Sequence, residues 1–216
     1  LALMLQNQTE EEFADSRFQV LSELTRLRQL CCDPALVYEN YEGGSAKLDL
    51  CIELIQSAVE SGHKILLFSQ FTSMIEIRTA RLQEESISCF VLQGSTKKEQ
   101  RAQMVEQFNR DDTSVFCISL KAGGTGLNLT GADIVIHYDP WWNVAVENQA
   151  TDRAHRIGQK NVVTVYKLIA KGTIEEKIIK LQQMKKELAE EILSGDEIKT
   201  ASFQREELLE LLEERF

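Results

Sequence analysis

The chain has 216 residues, of which 43% are apolar and 27% are charged, and its 24 Lys and Arg compare with 34 Asp and Glu. This length and ordinary composition fit one large domain with helical extensions, and they exclude a collagen-like, low-complexity or disordered chain. The net charge of −10 argues against a polyanion-binding surface over the whole protein, but it allows a local basic groove. No apolar run approaches the roughly 20 residues of a membrane helix, so we expect no membrane partner.

The cysteines show no pattern of a metal site or a disulfide framework. All five are scattered without a C-x-x-C pair or a histidine cluster, at Cys31, Cys32, Cys51, Cys89 and Cys117. This distribution predicts reduced, buried thiols in a cytosolic protein and no bound metal. The start at Leu1, without a basic and apolar leader, indicates an excised fragment with no secretory signal.

Residues 1–61 are predicted to form two helices, a lead-in segment that packs on the following domain. Thr9 to Glu12 has the spacing of a capping box, and an apolar stripe continues from there to Cys31. Pro34 ends this helix because the residue before a proline avoids helical backbone angles. Ser45 is the predicted N-cap of a second helix that runs to about residue 61.

Residues 62–170 consist of short apolar runs that alternate with helical patterns. The runs cover 64–69, 87–92, 115–119, 134–138 and 162–169. This order predicts an α/β fold with a mostly parallel sheet sandwiched between helices. Ligands of such sheets bind beyond the carboxyl ends of the strands. We therefore expect function at three loops, 69–71, 93–96 and 119–130.

Residues 171–216 are predicted to form a C-terminal helical brace. Thr173 to Glu176 is a second capping box, and it opens a helix whose apolar stripe runs from Ile174 to Ile192. A break at Ser194 to Asp196 precedes a last acidic helix with four leucines, Leu208, Leu209, Leu211 and Leu212. The core therefore has helical extensions at both ends.

The loop at 119–130 is rich in glycine. Gly123, Gly124 and Gly126 let backbone N–H groups approach an anion closely, and three side chains add donors, Lys121, Thr125 and Asn128. The spacing matches neither a dinucleotide-binding fingerprint nor a Walker A loop. A tight turn without a ligand remains an equal interpretation of the glycines.

Two adjacent tryptophans follow the fourth apolar run, in Asp139-Pro-Trp-Trp-Asn143. Both could anchor the core, or one could face a nucleic-acid groove. Trp141 and Trp142 cannot face the same way in extended chain, so we expect one role for each.

A cluster of cationic side chains follows between 149 and 159. On a continuous helix, Gln149, Arg153 and Arg156 would lie on one face and form a clamp for phosphate oxygens. The alternative is a salt bridge from Asp152 to Arg156, four residues later.

Six segments occur in a fixed order along the chain: Leu27–Pro34, Ile65–Thr72, Gln93–Thr96, Leu120–Leu129, Asp139–Asn143 and Gln149–Gln159. Together they resemble the C-terminal motor lobe of Swi/Snf-family ATPases, a branch of superfamily-2 helicases. The resemblance covers nearly the whole chain, and the last segment is highly specific. It implies a RecA-like second lobe, over 62–170, of a double-stranded-DNA translocase of bacterial type.

The resemblance also implies roles for single residues. Arg153 and Arg156 match arginine fingers that reach ATP phosphates across the cleft between two lobes, and Gly124, Gly126 and Gln149 lie on the nucleotide side. The residues implied to contact DNA are Gln70, Gly94, Ser95, Thr96, Lys121, Thr125, Asn128 and Trp142. Val144 departs from the family, which often has proline there, and this affects only the rigidity of a helix start.

ATP and Mg²⁺ are implied to be held mainly by an N-terminal RecA-like lobe, because this sequence has neither a Walker A loop nor the acidic Mg²⁺ motif. We therefore expect the isolated chain to be inactive as an ATPase. The implied partners are that lobe, double-stranded DNA and an unidentified DNA-bound protein. The implied location is the bacterial cytoplasm, on the nucleoid, or a eukaryotic nucleus. Two alternatives stay open: the second lobe of a strand-separating DNA or RNA helicase, or a degenerate interaction module.

Overall fold

The computed structural model describes residues 10–123, 126–156, 158–159 and 161–192. The helices, numbered in chain order, are α1 (Glu10–Cys32), α2 (Ala46–Glu60), α3 (Thr72–Glu84), α4 (Lys98–Arg110), the short α5 (Leu120–Gly123), α6 (Val144–Thr151) and α7 (Ile174–Ile192). The strands are β1 (Ile65–Ser69), β2 (Cys89–Leu92), β3 (Val115–Ser119), β4 (Ile134–His137) and β5 (Thr164–Lys167).

The strands form one sheet in the order β2-β3-β1-β4-β5, and every neighbouring pair is parallel. The carboxyl ends of the strands therefore meet at one edge, with Ser69 of β1 directly opposite Ser119 of β3. This arrangement confirms the predicted α/β class. It also brings the loops predicted to carry function to the same edge of the sheet.

Alternate side chains of the central strand enter two different hydrophobic clusters. Ile65 and Leu67 pack with α2 and α3 on one face, and Leu66 and Phe68 pack with α4 and α6 on the other. Both faces are therefore covered, which explains why the inner strands β1, β3 and β4 are buried at every position. β5 is the exception, because it lies at the edge and all four of its residues are exposed. The apolar run predicted over 162–169 is therefore a short edge strand.

The predicted helix boundaries have visible causes. Ser45 caps α2, because its hydroxyl oxygen accepts a hydrogen bond from Leu48 N at 3.3 Å. Asp33 ends α1 and caps the following 3-10 turn, accepting from Ala35 N at 2.8 Å. Thr173 Oγ1 accepts from the Glu175 N–H at the start of α7. These contacts confirm the predicted ends of α1 and starts of α2 and α7.

The two helical extensions pack on each other. Val20 and Leu24 of α1 form a hydrophobic cluster with Ile178 and Leu181 of α7. The predicted domain boundaries at 61 and 170 stay predictions, and Thr9 and the acidic segment with its four leucines lie outside the described residues. Among the described helices, none combines the length and the apolar character needed to cross a bilayer.

Candidate nucleotide and DNA interface

A buried carboxylate joins two loops at the carboxyl edge of the sheet. Asp139, 4% exposed, accepts hydrogen bonds from Ser69 Oγ at 2.5 Å and from Gln70 N at 3.3 Å. These bonds fix the backbone of Gln70 beside the end of β1. Gln70 Nε2 is buried and has no hydrogen-bond partner among the described residues. Since buried donors are almost always paired, this amide is a candidate to bind a ligand.

The loops after β2 and β3 hold most of the other residues predicted to contact DNA. Thr96 Oγ1 accepts from Gln93 N at 3.1 Å and closes the turn that exposes Gly94 and Ser95. Lys121 is exposed on α5, the single helical turn after β3. Gly124 and Thr125 lie outside the described residues.

Gly126 has a φ of +55°, in the left-handed region that favours glycine, which accounts for glycine in this loop. It lines a cavity of about 760 Å³ together with Thr96 and Asn128. The structure therefore brings Thr96 together with two predicted site residues that are far from it in sequence. Two basic residues of α4, Lys98 and Arg101, line the same cavity.

Sequence reasoning missed these two cations. The sequence contained a signal for a basic site at this loop. The turn Gly94-Ser95-Thr96 is followed by Lys97 and Lys98 at the start of a helix, and by Arg101 within its first turn. A lysine or arginine within reach of a phosphate supplies the charge that the backbone donors lack. Glu106 also lines the cavity, so the two cations exceed the acidic residues by one, and the cavity is a candidate for a local basic groove.

The prediction that Gln149, Arg153 and Arg156 share one face of a continuous helix is wrong. α6 ends at Thr151, and the chain continues in tight turns, with Arg153 N donating to Ala150 O at 3.2 Å. The backbone N–H groups after Asp152 no longer bond four residues back, as in Ala154 N to Thr151 O at 3.0 Å, and hydrogen bonds from other segments hold these turns. Leu129 N donates to Arg153 O at 3.0 Å, and Gln159 Nε2 donates to Ala154 O at 3.2 Å.

The two arginines nevertheless lie close to each other. Arg153 is 4% exposed, whereas Arg156 and Gln149 are exposed. Burial lowers the pKa of Arg153, the positive charge of Arg156 lowers it further, and Asp152 opposes both effects. Across the described ranges, Asp152 and Arg156 form no ion pair with each other. The structure therefore does not support the salt-bridge alternative, and an anion would relieve the repulsion.

The two tryptophans face different hydrophobic clusters, and the expectation of one role for each stays a prediction. Trp141 packs against the sheet face covered by α4 and α6, and Trp142 packs against the cluster of α1 and α7. Both side chains are half-buried. The contact of Trp142 with DNA stays a prediction, and its packing shows that it also anchors the helical extensions.

Glu147 of α6 holds the loop that carries the two tryptophans. It is 1% exposed, and it accepts hydrogen bonds from Trp141 N and from Lys167 Nζ, both at 2.6 Å. Gln182 of α7 donates to the Trp141 carbonyl oxygen. One carboxylate thus connects α6, the edge strand β5 and the tryptophan loop. Sequence reasoning did not single out Glu147, because its partners are 6 and 20 residues away.

Residues 46–158 match the model of the helicase conserved C-terminal domain. The chain belongs to this family, in its Swi/Snf branch. An uncharacterized ATP-dependent helicase of Mycoplasma pneumoniae is 45% identical over 202 residues, which are 92% of this chain and 19% of that protein. A putative ATP-dependent helicase/translocase of Bacillus subtilis is 45% identical over 184 residues, 82% of this chain and 20% of that protein.

A solved structure has the same fold. The SWI2/SNF2 ATPase C-terminal domain of Sulfolobus solfataricus superimposes with a TM-score of 0.71 and 33% identity, covering 91% of this chain and 82% of that one. This match confirms the RecA-like helicase lobe with helical extensions. The helicase C-terminal lobe spans about a fifth of the length of the curated relatives. No group of three His, Cys, Asp or Glu in the described part of the lobe is arranged to hold a metal ion.

Proposed function

We propose that this lobe supplies arginine fingers and half of the DNA track to an ATP-driven translocase on double-stranded DNA. The observation that carries the proposal is the pair Arg153 and Arg156, one buried and one exposed in the turns after α6, where burial lowers the pKa of Arg153 and the charge of Arg156 lowers it further. Such a pair is complementary to the charge that develops on a transferring phosphoryl group. Gly124, Gly126 and Gln149 would lie beside the nucleotide.

In this proposal, ATP and Mg²⁺ bind mainly to the first lobe of the complete protein. The metal would neutralise phosphate charge there, and this lobe would add its two guanidiniums from across the cleft. The position of Arg153 supports this role, because it is 4% exposed and its backbone is fixed by Leu129. A guanidinium on a buried side chain with a fixed backbone loses less conformational freedom on binding a phosphate than the guanidinium of a mobile surface arginine does.

The DNA track would follow the carboxyl edge of the sheet. Its proposed donors are the Gln70 amide, the turn at 94–96, the 121–128 loop and, beyond them, Trp142. Support comes from the shared cavity of Thr96, Asn128 and the cation Arg101, and from the buried Gln70 Nε2. Contacts of this kind bind phosphate oxygens without reading bases, which suits movement along any sequence.

Translocation is favoured over strand separation by the topology of the sheet. In the part of the chain that the structure describes, every strand pairing is parallel, so no β-hairpin projects from the lobe as a wedge. A degenerate interaction module would not need two arginines close together with no ion pair between Asp152 and Arg156.

Steady-state ATP hydrolysis by the complete two-lobed protein, with and without saturating duplex DNA, tests the proposal. We expect strong stimulation by DNA, and a kcat lower by roughly 100-fold or more in Arg153→Ala and Arg156→Ala, with much smaller changes in ATP affinity. Lysine at either position should rescue poorly, since it lacks the planar fork. Arg81→Ala is the control, because Arg81 forms exposed ion pairs on α3. A near-normal kcat in both finger variants would contradict the assignment.

A further inference from the structure

The chain that leaves the Gly-rich loop is held on one side by Asn109, at the end of α4. Asn109 Nδ2 donates to Asn128 O at 2.8 Å, and its Oδ1 accepts from Gly131 N at 2.9 Å. A Cβ at Gly131 would lie only 3.0 Å from Asn109 Oδ1 and 3.1 Å from Asn109 Cα. The absence of a side chain at Gly131 therefore permits this close contact.

Gln159 holds the same segment from the other side. Its Nε2 lies 2.7 Å from Ala132 O and 3.3 Å from Thr130 O. The same nitrogen is 3.2 Å from Ala154 O, in the turn that carries the arginines, and Gln159 Oε1 accepts from Asn161 N at 2.9 Å. One side-chain amide thus joins the exit of the Gly-rich loop to the arginine turn.

A backbone bond runs parallel to this connection. Leu129, next to Asn128, donates its N–H to the carbonyl oxygen of Arg153 at 3.0 Å. The proposed DNA donor Asn128 and the proposed finger Arg153 are therefore separated by one peptide unit and one hydrogen bond. The Gln159 amide adds to this backbone bond in keeping the two segments in register.

We propose that Gln159 is a positioning residue. It keeps Arg153 aligned with the DNA-facing loop, so that DNA binding to this loop places Arg153 for ATP hydrolysis. This inference rests on the proposed function. Its physical basis is that the loop exit and the arginine turn share one pair of N–H donors, so that they move together. Misplacement of a charge-stabilising group by about 1 Å can cost on the order of 100-fold in rate.

The test uses kinetics of the complete two-lobed protein over a titration of duplex DNA. Gln159→Met has a similar length without donors or charge, and Gln159→Glu keeps the acceptor for Asn161 N but loses both donors. We expect at least a tenfold lower kcat at saturating DNA in both variants, with the half-saturating DNA concentration within twofold of the wild-type value. Gln83→Glu, on an exposed position of α3, controls for the added charge.

A double variant separates positioning from a general structural role. Since Gln159 acts through Arg153, Gln159→Met combined with Arg153→Ala should be no slower than Arg153→Ala alone. If the effects of Gln159→Met and Arg153→Ala on kcat multiply in the double variant, the inference is overturned. A lower kcat of the Gln159 variants with a matching loss of DNA affinity would overturn it too, and both outcomes leave the proposed function intact. Absence of DNA stimulation in the wild-type protein would overturn the proposed function and this inference together.

Discussion

The guanidinium carbon of Arg28 lies 4.6 Å from the centre of the Trp142 ring, and the same group donates to Pro140 O at 2.6 Å. Arg28 is 2% exposed, and burial lowers its pKa, against the opposing effect of the Asp139 carboxylate. The charge is therefore stabilised by a hydrogen bond to a carbonyl, by aromatic faces and by the electrostatic effect of a carboxylate rather than by water. This contact attaches α1 to the loop after β4.

Trp142→Ala should destabilise the lobe by roughly 2–3 kcal/mol. Complete truncation of a fully buried Trp costs about 3–5 kcal/mol, and Trp142 is half-buried in the α1–α7 cluster. Denaturant unfolding followed by fluorescence and circular dichroism measures the change. Phe18→Ala is the control, because Phe18 of α1 is 84% exposed and should change stability by less than about 0.5 kcal/mol. Equal effects of the two truncations would show that Trp142 does not anchor the cluster.

The predicted DNA contact of Trp142 requires a variant that keeps the packing. Trp142→Phe retains an aromatic face against Arg28 but has a smaller surface and no indole N–H. We expect reduced DNA movement per ATP hydrolysed in the complete protein, with near-normal stability, measured by triplex displacement alongside hydrolysis. If this coupling is unchanged while Trp141→Phe reduces it, Trp141 is the tryptophan that meets DNA.

Glu147→Ala should cost roughly 2–4 kcal/mol of unfolding free energy. Loss of one partner of a buried pair typically costs about 3–5 kcal/mol, and Lys167, with a side chain 38% exposed, can partly turn to water. The Trp141 N–H also loses its acceptor. Glu106→Ala is the matched control, since Glu106 and Arg110 form an exposed pair at 2.7 Å that should contribute less than about 0.5 kcal/mol.

His137 should make the lobe less stable below neutral pH. Burial lowers its pKa from 6.5 to about 4; Glu147 and Asp139 oppose this and Lys167 adds to it. Because the unfolded chain binds the proton more readily, this stability is complete above pH 6.5 and is lost as the pH falls towards 4. Between pH 7 and pH 5 the loss should be about 2 kcal/mol. Urea unfolding at both values should show a smaller pH dependence in His137→Asn, and an unchanged dependence would contradict the assignment.

The isolated lobe should hydrolyse no ATP and should bind duplex DNA weakly, with an affinity that falls steeply with salt. Only half of the proposed track is present, and the net charge is −10. Fluorescence anisotropy between 50 and 200 mM salt should give similar affinities for unrelated sequences. Lys98→Ala should reduce the salt slope by about 1, whereas Lys171→Ala, at an exposed residue outside the α4 cavity, should not. Tight, sequence-specific binding at high salt would contradict a translocase track.

Much of the fold follows from local sequence because its signals are local. The bounds of β3 and the Ser45 cap depend on a short apolar run and on side chains a few residues apart. The family assignment likewise followed from contiguous motifs. These features depend on neighbouring residues and not on contacts with distant parts of the chain.

The features that sequence reasoning missed depend on distant contacts. α6 stops at Thr151, and the turns that follow it are held by hydrogen bonds from Leu129 and Gln159. The buried positions of Arg28 and Glu147 likewise depend on partners in other elements. Periodicity cannot show which carbonyl or carboxylate a folded chain will bring to such a residue.

The attachment of α1 through Arg28 bears on the exchange of lobes between related motors. The family match covers 46–158, but the loop at 139–142 depends on α1 before it and on α7 after it. A chimera cut at the limits of the match would leave Trp142 facing solvent and remove the cation that lies against it. Grafts that carry both flanking helices with the sheet should therefore yield soluble hybrids, and shorter grafts should aggregate.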